Sequence, residues 1–278
     1  MVATFVIFLR EGIEASMVAA ILSAYLTKIG QRSAIRYVIA GMGSAALLAA
    51  LAGVAIYFTV EQWADTRAQV IFETAMFLLA AAVLTSMSVW MVRHAHTLGD
   101  DLRDRAEGAL SKGERRGLFF LSFQATGREG LEAAVFTLAI VFSPGGKGAL
   151  LGAALGLLVA AGLAIAVFRF GVKIPLKRFF SVVSKVLLIF GAALVSNAVL
   201  NLQELGWISF LNQPMWNSSA LVSDTSQIGD FLHAFFGYTA SPTPLQAIAW
   251  FGYLIGASML LKAERHKIGL RRPVRASV

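Results

Sequence analysis

Apolar residues along this chain gather into seven long runs, near residues 4–27, 36–59, 69–92, 118–142, 148–170, 179–201 and 245–262, separated by short polar breaks. Each run approaches the ~20 residues that an α-helix needs to cross the hydrocarbon core of a bilayer. The predicted fold class is all-α: a polytopic membrane protein of seven transmembrane helices, one transmembrane domain over 1–278. Arg10 interrupts the first run and the run continues to Leu26, which does not read as a cleavable leader. The connection at 99–117 is charged, with Leu102, Ala106 and Leu110 four apart, and predicts an amphipathic helix on the membrane surface.

Two of the runs contain nearly the same pentapeptide, Arg10-Glu11-Gly12-Ile13-Glu14 and Arg128-Glu129-Gly130-Leu131-Glu132. Three spans separate one copy from the next, an odd number, so the second set of three is upside down relative to the first. This predicts a 3+3 inverted repeat, residues 1–92 and 118–201, with one extra helix at 245–262. The register agrees, since Thr4 precedes Arg10 by the same interval as Ser122 precedes Arg128. Gly152/Gly156 and Gly252/Gly256 are small-residue pairs that can bring helices close together.

Composition and charge settle the solvent. Hydrophobic residues make up 57% of the chain and charged residues 14%, with mean hydropathy +0.70. Net charge is +8, yet this does not indicate nucleic acid. Twenty of the 24 Lys and Arg fall on or beside alternate connections and in the C-terminal segment from Lys262 onward, which places those segments in the cytoplasm and the N-terminus outside. The outer connection at 202–244 has no Lys or Arg. Its Trp207, Phe210, Trp216, Phe231, Phe235, Phe236 and Tyr238 fit short helices at the lipid interface. Its Glu204, Asp224, Asp230 and His233 offer instead an outer-face antechamber for cations. The chain has no Cys, so any metal is held by oxygen or imidazole.

Six ionisable side chains in lipid cost about 3 kcal/mol each on insertion scales. At about 100° per residue, Arg10, Glu11 and Glu14 share one helix face and Gly12 takes another, and the second copy repeats this. Two helices can therefore present four carboxylates, Glu11, Glu14, Glu129 and Glu132, and two guanidiniums, Arg10 and Arg128, to a common interior. Their sum of −2 neutralises a divalent cation and leaves a trivalent one a charge short. Glu73, near the outer end of the third span, can supply that charge or can simply be hydrated. A purely structural ion pair at i, i+4 is worth only about 0.2–0.5 kcal/mol in water, and it leaves Glu11 and Glu129 unused. Hard oxygen donors suit iron, manganese, magnesium or calcium.

Paired REGxE motifs in the first and fourth of seven spans resemble the oxidase-dependent iron permease family, both its yeast high-affinity members and its bacterial EfeU-type members. Phe72-Glu73, Trp90-Met91 and Phe236-Gly237-Tyr238 look EfeU-like, and the resemblance covers essentially the whole chain. Ile13 stands where the family usually has Leu. The resemblance implies a high-affinity iron-uptake permease of the bacterial cytoplasmic membrane, with Glu11, Glu14, Glu129 and Glu132 as transient iron ligands and Arg10 and Arg128 as supporting cations. It also implies iron ions as cargo, no permanent cofactor, and extracytoplasmic partner proteins that bind or oxidise iron. Competing readings are a manganese or other divalent-cation carrier, an intramembrane carboxylate di-iron enzyme, and a non-transporting sensor. The enzyme reading wants Glu-x-x-His pairs, and no predicted span contains His.

Overall fold

The computed structural model describes residues 1–63, 66–94, 98–111, 115–142, 148–170, 176–223 and 226–271. Its helices among those residues are α1 (Val2–Lys28), α2 (Ile35–Glu61), α3 (Arg67–His94), α4 (Leu98–Ser111), α5 (Arg115–Val141), α6 (Ala149–Phe170), α7 (Leu176–Glu204), α8 (Gln227–Phe236) and α9 (Pro244–Arg271). The protein is all-α and polytopic: α2, α3, α6, α7 and α9 are each long and apolar enough to cross a membrane. Helices α1 and α5 have the length, 27 residues each, but carry the two charged pentapeptides. Three ionisable residues per copy lower their hydropathy, so burial among other helices replaces lipid around them. The seventh apolar run continues past residue 262 as helix to Arg271, where Glu264 joins Arg93 (2.8 Å) and Lys267 (3.2 Å).

The packing is symmetric under exchange of the two three-helix sets. Helix α1 packs along α6, α5 packs along α2, α3 lies on α7, and α1 crosses α5. A Cβ added at Gly41 of α2 would run into Phe119 O and Ser122 Oγ of α5, and one at Gly152 of α6 into Met1 O and Thr4 Oγ1 of α1. Gly130 in turn lies against Ala49, and Gly12 against Ala160. A shift of 118 residues carries Met1, Thr4 and Gly12 onto Phe119, Ser122 and Gly130, and a shift of 111 carries Gly41 and Ala49 onto Gly152 and Ala160. Gly156 also packs on the α1 backbone, at Phe5 and Leu9, whereas Gly252 and Gly256 have no neighbour within 4 Å among the described residues. Among the described residues, the Gly152/Gly156 pair serves helix packing within the chain.

The main core joins Ile7 of α1, Phe77 and Leu84 of α3, Phe136 of α5 and Leu187 and Phe190 of α7. Helices α2 and α6 are peripheral and expose Leu47, Leu48, Leu51, Leu150, Leu151 and Leu158, an apolar surface suited to lipid tails. The amphipathic helix α4 covers 99–111 of the expected 99–117 segment; residues 112–114 lie outside the described residues and 115–117 belong to α5. Helix α4 is seated through Leu102 and Ala106 on Leu22, Leu26 and Leu118, at one face of the bundle. The opposite face carries α8, the one short helix found in the 202–244 connection among its described residues. Ser226 caps α8 by accepting from the Gly229 amide (2.9 Å), and Gly237 closes it at φ 70°. Trp207, Phe210 and Trp216 are exposed there in non-helical chain.

Candidate metal centre

Helix α1 starts at the α8 face and α5 at the α4 face, so the two motifs meet at depth. Glu11 lies about 14 Å along α1, and Glu129 about 21 Å along α5, by helical rise. One carboxylate oxygen each from Glu11, Glu14 and Glu129 falls within 4.8 Å of the others. Cations with ~2.1 Å bonds hold opposed donors about 4.2 Å apart, so a small inward movement closes this set on one ion. Neither Glu11 oxygen receives a hydrogen bond among the described residues. Arg10 is 1% exposed; its Nε donates to Glu14 Oε1 at 3.0 Å, while Nη1 and Nη2 are buried with no acceptor among the described residues. Buried polar groups are almost always satisfied. Here donors and acceptors without partners, carried by two helices, converge on one locus, as expected for a place that holds a ligand.

The second pentapeptide is not a copy of the first in its surroundings. Arg128 retains 43% side-chain exposure, lies 4.2 Å from the centroid of the Trp90 ring, and bonds Glu129 at 2.8 Å. Glu132 pairs with Arg128 at 3.6 Å and, with Arg128, Trp90, Arg93 and Tyr253, lines a cavity of about 880 Å³ between α3, α5, α7 and α9. Three motif glutamates therefore converge, and the fourth opens onto this cavity. A smaller cavity of about 360 Å³ at the α8 face is lined by Glu73, Asn197, Asn201, Glu204 and His233. Glu73 thus sits apart from the three converging carboxylates. Its Oε1 accepts from Gln69 Nε2 at 2.8 Å. Asp224 lies outside the described residues, and Asp230 is on α8 with its side chain likewise outside them. Trp90 stood out in sequence only as part of the family-like Trp90-Met91 pair, with no role attached, and Asn197 was not distinguishable from residues that merely pack.

Fold and site together define a multi-pass membrane protein with a carboxylate-rich centre buried between two crossing helices, flanked by a cavity toward either face. The sequence model of the Iron permease FTR1 family matches residues 1–264, and the chain belongs to that family. Similar proteins include the ferrous iron permease EfeU of Yersinia pestis, 31% identical over 92% of this chain and 91% of that one. The ferrous iron permease EfeU of Yersinia pseudotuberculosis serotype I is 32% identical over 92% and 90%, and that of Escherichia coli O6:H1 is 31% identical over 91% and 92%. No solved structure matches the chain.

Proposed function

We propose that this chain is an iron-uptake permease of the bacterial cytoplasmic membrane, in which Glu11, Glu14 and Glu129 form a transient site for an iron ion in passage. Glu132 receives the ion on its way into the larger cavity. The carrying observation is the convergence of three carboxylates from two helices at mid-depth, between the two cavities. The reading takes all seven long helices as spans, the two exchange-symmetric sets as inverted repeats, the α8 face as outside and the α4 face as cytoplasmic, following the Lys and Arg distribution. It assigns no permanent cofactor and no catalysed reaction. Partner proteins that deliver iron would dock at the α8 face.

The motif charge of −2 favours a divalent ion, in keeping with the names of the relatives. Arg10, with two nitrogens unpartnered, helps set that balance and can donate to water carried with the ion. The test is radioactive iron uptake into proteoliposomes of verified orientation, under reducing and oxidising conditions, with manganese as competitor. Uptake under reducing conditions that survives excess manganese supports the proposal. Uptake of manganese in preference to iron replaces it with the divalent-carrier reading.

A further inference from the structure

We infer that the cavity at the α8 face is a second metal site, separate from the motif carboxylates, which takes a borderline divalent transition-metal cation in mixed nitrogen and oxygen ligation through His233, Asn197, Glu73 and Glu204. These side chains come from three elements, α8, α7 and α3, and line one cavity of about 360 Å³ walled by Phe77 and Phe142. Two of them are almost fully enclosed, His233 at 5% and Asn197 at 3% exposure. Asn197 Oδ1 is buried with no hydrogen-bonding partner although it lines this space. A buried amide oxygen left unsatisfied is rare in folded proteins, and an oxygen-seeking cation supplies what it lacks.

The electrostatics point the same way. Glu73 and Glu204 both line the cavity, two carboxylates on one space, and no Lys or Arg lines it among the described residues. A cation placed between the two carboxylates removes their repulsion. The support for His233 is rigid: Ser226 caps its helix, the Gly237 amide donates to the His233 carbonyl at 2.9 Å, and Phe235 anchors the helix in the main core. The ligand set differs in kind from the deeper one. The motif cluster offers carboxylates alone, whereas this cavity adds an imidazole, a donor suited to iron(II), cobalt(II) or zinc and unsuited to magnesium and calcium. The site can therefore reject the abundant hard cations before an ion reaches the interior. That ordering rests on the import reading; the binding site itself does not.

Equilibrium dialysis of Co²⁺ against the purified full-length protein, in excess Mg²⁺, tests it. With the motif site disabled by Glu11→Gln and Glu129→Gln, a Co²⁺ site resistant to Mg²⁺ should remain, and adding His233→Gln or Asn197→Ala should weaken it by roughly tenfold or more. Thermal unfolding of each variant establishes that it is folded. In wild-type motif background, His233→Gln should raise KM for ferrous uptake and leave the maximal rate nearly unchanged. A His233-dependent Co²⁺ site in a protein that moves no iron would uphold this inference and sink the import reading. Normal iron uptake, with no Co²⁺ site that responds to His233 or Asn197 in folded protein, would overturn the inference and leave import standing.

Discussion

Glu11 and Glu14 sit one helical turn apart, and the structure predicts that neutralising them separates stability from transport. Glu14 supplies the one acceptor that the Arg10 guanidinium has among the described residues, at 3.0 Å, and Arg10 is 1% exposed. Glu14→Gln keeps an oxygen near Nε but strands a buried positive charge, a change that costs about 3–5 kcal/mol when one partner of a buried pair is removed. The retained amide oxygen places the expected loss near the lower end, about 3 kcal/mol. Glu11 receives no hydrogen bond at either oxygen among the described residues, so Glu11→Gln removes a buried carboxylate crowded by those of Glu14 and Glu129 and leaves Arg10 its bond to Glu14. Its stability should equal or exceed that of the wild type. Purified variants in detergent, melted with tryptophan fluorescence as readout, should differ by roughly 6 °C or more, taking about 2 °C per kcal/mol for a chain of this size. The double variant Arg10→Gln/Glu14→Gln should recover the wild-type midpoint without recovering uptake. Coincident melting of Glu11→Gln and Glu14→Gln would refute the assignment of Glu14 as counter-ion and Glu11 as free ligand.

Gly12→Ala and Gly130→Ala should each destabilise by about 1–3 kcal/mol, since a new Cβ meets Ala160 Cβ at 2.6 Å or Ala49 Cβ at 2.8 Å, both fixed to a facing helix. The compensating swap Gly12→Ala/Ala160→Gly should restore the melting midpoint, and failure to do so would remove that contact as the cause. Trp90→Ala should loosen Arg128 by about 0.5–2 kcal/mol and reduce uptake, with Trp90→Phe closer to wild type; equal uptake by both would show that the ring over the guanidinium is idle. Because the chain has no Cys, single cysteines report topology cleanly. In sealed cells, exposed Ser219→Cys should react with an impermeant thiol reagent and Asp101→Cys on α4 should not, and the opposite pattern inverts the orientation.

Much of the architecture was legible because lipid leaves few alternatives. Each apolar run returns as a helix within a few residues, apart from the longer α9, since backbone groups in a bilayer must be satisfied within the segment. The shared face of Arg10, Glu11 and Glu14 followed from helical pitch alone. What escaped was tertiary. Two almost identical pentapeptides read alike in sequence, yet α3 brings Trp90 and a cavity to Arg128, while Arg10 is sealed. For the same reason Glu132 parts from its three companions and Glu73 joins the α8-face cavity. Asn197 sits in an apolar stretch of α7, where one amide reads as packing until the cavity beside it is seen.

The central claim is that carboxylates from both motifs serve one passing iron ion, and the initial rate of ferrous uptake into proteoliposomes tests it most directly. Rates are compared for wild type, Glu11→Gln, Glu129→Gln and the double variant, each normalised to folded protein in the vesicles. Residues that hold a single ion in common act as a unit, so each single variant should fall close to the rate of empty vesicles, and the double should fall no further. Wild-type uptake by folded Glu11→Gln or Glu129→Gln protein would contradict the shared site.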